Sequence, residues 1–204
     1  MSIFPYVFEP PGVLRGVRNY VHSTDMYDSI MLGAEQANLS FEGPIELRIR
    51  STILLQPRYI YLPASEHTPE AVAICKFKSG EKSFVSVVIE TESHITVRRK
   101  YDESPVTNKS KIIGLTAQLK DETGLRPIES LTSLGVHLHK IALPPKAGER
   151  WVLGQLFIRR CLSELDSSCL YLSIDKNIGS TMTRTSIEAH DGTLGFMTFM
   201  LAKG

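Results

Sequence analysis

The chain of 204 residues has three cysteines, one tryptophan and no apolar run approaching the ~20 residues needed to cross a bilayer. The odd trio Cys75, Cys161 and Cys169 fits no zinc or redox spacing. That excludes a disulfide framework and points to a reducing compartment, the cytosol. An excess of one charge is missing too: 23 Lys plus Arg against 22 Asp plus Glu leave +1, so the footprint of a general nucleic-acid binder is absent. The N-terminus, Met1-Ser2-Ile3-Phe4-Pro5-Tyr6, carries no basic region and is broken by Pro5, Pro10 and Pro11, so it does not read as a leader. Ala202-Lys203-Gly204 is no peroxisomal address. No metal or cofactor motif occurs, and neither is expected.

What remains is an ordinary globular composition. With 42% hydrophobic and 22% charged residues the chain can bury roughly 70% of its unfolded surface and needs no staple. Ile45, Leu47, Ile49 and Ile53 alternate with Glu46, Arg48, Arg50 and Thr52, the period of a strand with one wet face. Extended segments follow at 71–77 and 84–89, joined by Lys78-Ser79-Gly80-Glu81 as a hairpin turn, then at 94–99. The second half repeats this grammar at 136–143, 151–158, 170–174, 183–189 and 193–201, with His190-Asp191-Gly192 as its last turn. A helix is predicted over 25–38, where Tyr27, Ile30, Met31, Ala34 and Ala37 share a face and Ser23 or Thr24 caps. Gly33, in its middle, reads as a point of close backbone packing. A second helix is predicted over 109–122, ended by Gly124 and Pro127. Asp102-Glu103-Ser104-Pro105 reads as a linker, so two α+β halves, 1–102 and 103–204, are expected, each an antiparallel sheet packed around one helix.

Ser133-Leu134-Gly135-Val136-His137-Leu138-His139, Gly148-Glu149-Arg150-Trp151-Val152-Leu153 and Glu188-Ala189-His190-Asp191-Gly192-Thr193-Leu194 resemble, in that order, the second hotdog of the TesB-like acyl-CoA thioesterases. Ser51–Gln56 and the Gly80 hairpin are similar to the family's first hotdog. The resemblance implies a double hotdog and an enzyme acting on an acyl-CoA or a carrier-bound acyl or polyketide substrate. It also implies pairing of the halves through their sheets and leaves a further homodimer open. In this family hydrolysis uses an Asp, a Ser or Thr, and a Gln. Here the Asp position falls on Ser133 or Gly135 and the Gln position near Met200, and residues 160–175 look like an insertion.

With that set absent, the candidates are at the first helix, where hotdog proteins commonly place a general base. Asp28 is the expected base, His22 its partner, and the N–H groups of the first turn the oxyanion donors. Helix-dipole statistics favour Asp25 and Asp28 there in any case. His139 is a further catalytic candidate, read as sharing a strand face with His137, and Tyr27, Met31 and Trp151 are the expected substrate contacts. Arg98-Arg99-Lys100 could grip a CoA phosphate or be a solvated strand end. Two other readings stay open: a pocket without hydrolysis, serving as a cyclase, isomerase or binding protein, and a β-rich assembly protein.

Overall fold

A computed structural model describes residues 4–66 and 70–203; Met1–Ile3 and Gly204, which belong to the terminal segments read above, lie outside the described residues. The chain divides after Tyr101 into two units. The first holds β1 (Tyr6–Phe8), β2 (Val13–Arg15), α1 (Ser23–Gln36), β3 (Glu42–Ile49), β4 (Leu55–Pro63), β5 (Ala73–Ser79), β6 (Lys82–His94) and β7 (Val97–Arg99). Its antiparallel sheet runs β1-β4-β6-β5-β3, and β2 and β7 form a separate parallel pair. The second holds α2 (Ser104–Lys109), β8 (Ser110–Ile113), β9 (Thr116–Leu119), α3 (Pro127–Ala142), β10 (Glu149–Ile158), a 3-10 turn (Glu164–Ser168), β11 (Leu170–Ile178), β12 (Met182–Ala189) and β13 (Gly192–Lys203). Its antiparallel order is β10-β13-β12-β11-β9-β8. Each unit is α+β, one long helix against an antiparallel sheet, the hotdog-type arrangement.

The helix of the first unit packs as its periodicity predicts. Met26, Tyr27, Ile30 and Ala34 are buried along one face, each large apolar side chain contributing roughly 1.5–3 kcal/mol. Gly33 lies under β1 and β4, where a Cβ would collide with Tyr61 and Phe8. That approach lets Tyr61 Oη donate to the Ile30 carbonyl at 2.8 Å. The start is capped not by Ser23 or Thr24 but by His22, whose Nδ1 accepts from the Thr24 N–H.

Two elements of the second unit correct the sequence reading. Residues 109–122 form no helix: α2 ends at Lys109, and β8 and β9 make a hairpin around Gly114 at φ +57°. The long helix, α3, instead starts at Pro127, the residue that the sequence places after a helix end. Proline is tolerated at the first helical position because its missing N–H has no partner there anyway. From it Ile128, Leu131, Leu134 and Leu138 recur at helical spacing, all buried. Residues 136–143 are therefore helical to Ala142, not a strand, and His137 and His139 diverge by ~200° around the axis instead of sharing a face.

Candidate functional site

The polar groups at the start of α1 are held by the chain on either side. Arg15, at the end of β2, donates from Nε and Nη2 to both carboxylate oxygens of Asp25. This pair is nearly buried, with side chains 8% and 13% exposed. The His22 ring sits 2.8 Å from Thr24 Oγ1 through Nδ1 and lies tilted on Tyr101 at 5.0 Å between centroids. Arg15 and Arg18 also lie over the Tyr101 ring, at 5.3 and 4.6 Å. Asp28 follows Asp25 by three residues, so it shares that side of the helix, and it is half-exposed. His22 and Asp28 are six residues apart, about 9 Å of axial rise, so the histidine caps the helix while the carboxylate stands more than a turn further on.

The other candidates are placed differently. Tyr27 is buried in the α1 core face and Met31 is half-buried beside it. Trp151 is buried on β10, its indole N–H donating to the Leu143 carbonyl at 2.8 Å and its ring tilted on His139. His139 is completely buried. Its Nδ1 donates to the Gly135 carbonyl at 2.7 Å, which leaves Nε2 to accept from Thr183 Oγ1 at 2.6 Å. Burial pushes its pKa down to about 4, so the ring is a neutral tie between α3 and β12. His137 is half-buried, its pKa lowered by burial and then by Lys140.

The Met200 side chain covers Gly154 on β10, so the position expected for Gln is an apolar packing group. In the presumed insertion, Asp166 is fully buried and accepts from both terminal nitrogens of Arg160 and from the N–H and hydroxyl of Ser163. Burial alone would raise its pKa, yet those bonds hold it down to about 2. Asp166, His190 and Asp191 bring donor atoms within 4.8 Å of one another. The Arg160 guanidinium bridges both carboxylates, so the group works as a clasp between the 3-10 turn and the β12–β13 hairpin.

A depression of about 770 Å³ in the first unit is lined by Phe4, Leu39, Pro63, Lys82 and Phe84 among others. It adjoins the chain leaving α1, not its first turn. A smaller one of about 250 Å³ in the second unit includes Arg126 and Glu164. Sequence reading missed Arg15, Arg18 and Tyr101 as parts of the α1 start. Their signal was the lack of any acid between Glu9 and Asp25 to neutralise two arginines.

No family model matches the chain, and no curated protein matches it. Solved structures similar to it include a TesB protein of Mycobacterium avium subs paratuberculosis, at 10% identity and TM-score 0.47 over 96% of this chain and 90% of that one. A putative thioesterase II from Thermobifida fusca shares 9% identity at TM-score 0.46, over 97% and 91%. A pyran synthase domain from module nine of the sorangicin pathway shares 10% at TM-score 0.46, over 98% and 92%. The likeness is one of chain path, and the chemistry named in those descriptions belongs to those proteins. Among the described residues no helix is long and apolar enough to cross a membrane.

Proposed function

We propose that the protein handles an acyl thioester, an acyl-CoA or a carrier-bound acyl group, with its chemistry at the start of α1. The observation that carries this reading is a partly exposed carboxylate, Asp28, in the first half of a helix whose start is capped and tied down. Arg15 fixes Asp25, His22 caps the helix, and Asp28 stands half-exposed one turn on. A carboxylate so placed can take a proton from water as that water attacks the thioester carbon. First-turn N–H groups that have no intrahelical acceptor receive the developing oxyanion. The C–S bond then breaks, the thiolate recovers the proton from Asp28, and the products are a free acid and a thiol. The test is thiol release from a panel of acyl-CoAs: Asp28→Asn should lower it on the order of 10²-fold or more, and an unchanged rate excludes the assignment.

A second reading, a pocket that shapes or stores a biosynthetic intermediate without hydrolysing it, is favoured by one observation. The TesB-like resemblance puts the family's Asp on Ser133 or Gly135 and its Gln near Met200, none of them an acid or an amide, and Gly135 lies against Phe199 and Met200 against Gly154. Native mass spectrometry of the purified protein separates the two. A retained lipid-like compound without thiol release supports storage, and thiol release sensitive to Asp28→Asn supports hydrolysis.

A further inference from the structure

We propose that the depression of about 770 Å³ beside the chain leaving α1 binds an apolar carboxylic acid, with the hydrocarbon against Phe84 and Phe4 and the carboxylate on Lys82. The site is separate from the start of α1 and stands whether or not that start hydrolyses a thioester. Its volume lies within the roughly 300–1,000 Å³ of small-molecule sites. Its walls follow from the strand register. Phe77, Phe84 and Pro63 stand side by side across β5, β6 and β4. Nearer the hairpin turn Ser79 stands across from Lys82, and residues two apart on a strand share a face. Lys82 and Ser79 therefore lie on the same face as Phe84 and Phe77. On that face the Phe84 ring is 5.2 Å from Phe4 and 6.0 Å from Phe77 between centroids, and Phe77 stacks on Phe41 at 4.0 Å. The chain leaving α1 borders it: Leu39 lines the depression, and the Ser40 N–H donates to Ser79 Oγ at 3.0 Å.

The lysine on this face differs from those on the other. On the opposite face of β5, Lys76 stands across from Glu46 and Lys78 across from Glu42, the opposite-charge pairing usual between strands. Lys82 stands across from a serine, and among the described residues its ammonium has no ion-pair or hydrogen-bond partner. No acid is among the described residues that line the depression; Glu81, the nearest acid in sequence, lies in the turn outside it. A lysine that only keeps a strand end wet needs no particular surroundings. Lys82 instead borders the apolar side chains of Phe4, Leu39, Pro63, Ala64 and Phe84, over which its stem can lie while its ammonium stays at the exposed rim. A cation at the edge of an apolar groove without an acid favours an amphiphilic anion over a neutral lipid or an amine. One ammonium, a point charge, matches the single charge of a carboxylate, whereas a phosphate is met by a fork or by several cations.

Calorimetric titration with hexanoate, octanoate and decanoate, and with octan-1-ol as the uncharged control, tests the site. Octanoate should bind at least about fivefold more tightly than octan-1-ol, and each added carbon should tighten the acids about threefold. Raising salt from about 50 to about 300 mM should weaken octanoate and leave octan-1-ol unchanged. Lys82→Gln, at an exposed position, should abolish the preference for the acid while leaving octan-1-ol binding and the circular dichroism spectrum as in wild type. In amide NMR spectra octanoate should shift Leu39, Ala64 and Lys82 most. Equal affinity for acid and alcohol, affinity indifferent to chain length or to Lys82→Gln, no binding, or shifts centred on residues 22–28 overturns the site. Octanoate binding that falls with Lys82→Gln, together with thiol release indifferent to Asp28→Asn, would keep this site and remove the hydrolytic reading; the converse pair of results would keep hydrolysis and remove the site.

Discussion

The two long helices meet their sheets by the same device and use their polar residues in opposite ways. Gly33 admits Tyr61 and Phe8 to the backbone of α1, and Gly135 admits Phe199 to that of α3. Yet α3 turns Ser130, Thr132, Ser133 and His139 inward, where they are buried. Helix α1 buries mainly apolar residues, Met26, Tyr27, Ile30 and Ala34, and carries Asp25 and Asp28 in its first half. A polar group locked inside by two hydrogen bonds can fix a helix but cannot exchange protons with a ligand. One held at a helix start can do so.

The sheets differ as well. In the second unit β11 and β12 are hydrogen-bonded neighbours, joined through Gly179 and Ser180, both at positive φ. So tight a turn compels adjacent pairing. In the first unit the corresponding connection spans 64–72, and β6 rather than β5 lies beside β4. A longer connection frees the next strand from pairing with its predecessor, so the β5–β6 hairpin enters in the reverse order.

The sharpest way to break the contrast is at the helix starts and ties. Asp25→Asn leaves Arg15 nearly buried without its counter-charge and should cost about 3–5 kcal/mol in denaturant unfolding. A cost below about 1 kcal/mol would place the pair in effective solvent contact. For His139 the direction of the pH effect follows from its depressed pKa. The unfolded chain binds the proton near 6.5 and the folded chain only near 4. Stability from this group is therefore complete above pH 6.5 and is lost as pH falls toward 4, by about 3 kcal/mol. Urea midpoints of wild type and His139→Gln across that range should converge at the acid end.

Gly33→Ala should be destabilising by about 1–3 kcal/mol despite its better helix propensity, because the new methyl meets Tyr61 and Phe8. A stabilised variant would mean that the sheet yields. Smallest and opposite in sign, Thr185→Val should be neutral or stabilising by up to about 1 kcal/mol, since its hydroxyl is buried with no hydrogen-bond partner.

The α+β class was legible because alternation at 45–53 and in the closing strands is strong, and so was α1. What could not be read were features that local pattern does not encode. Pro127 serves equally as a helix stop and as a first helical residue, and only the buried row from Ile128 to Leu138 decides between them. The hairpin around Gly114 was hidden because Ile112, Ile113, Leu115 and Leu119 also satisfy helical spacing. At the candidate site the acids of α1 were visible in the sequence. The cap by His22 and the ties from Arg15 and Tyr101 needed the return of the chain at 97–101 to bring distant residues together.

The central claim is that the proposed chemistry sits at the start of α1, where Asp28 is half-exposed, and not at that of α3, where Glu129 is buried. Thiol release from an acyl-CoA, measured side by side for Asp28→Asn and Glu129→Gln, tests this most directly. The account predicts a loss on the order of 10²-fold or more for Asp28→Asn and a rate within about twofold of wild type for Glu129→Gln. A collapse on Glu129→Gln with Asp28→Asn unaffected would contradict it.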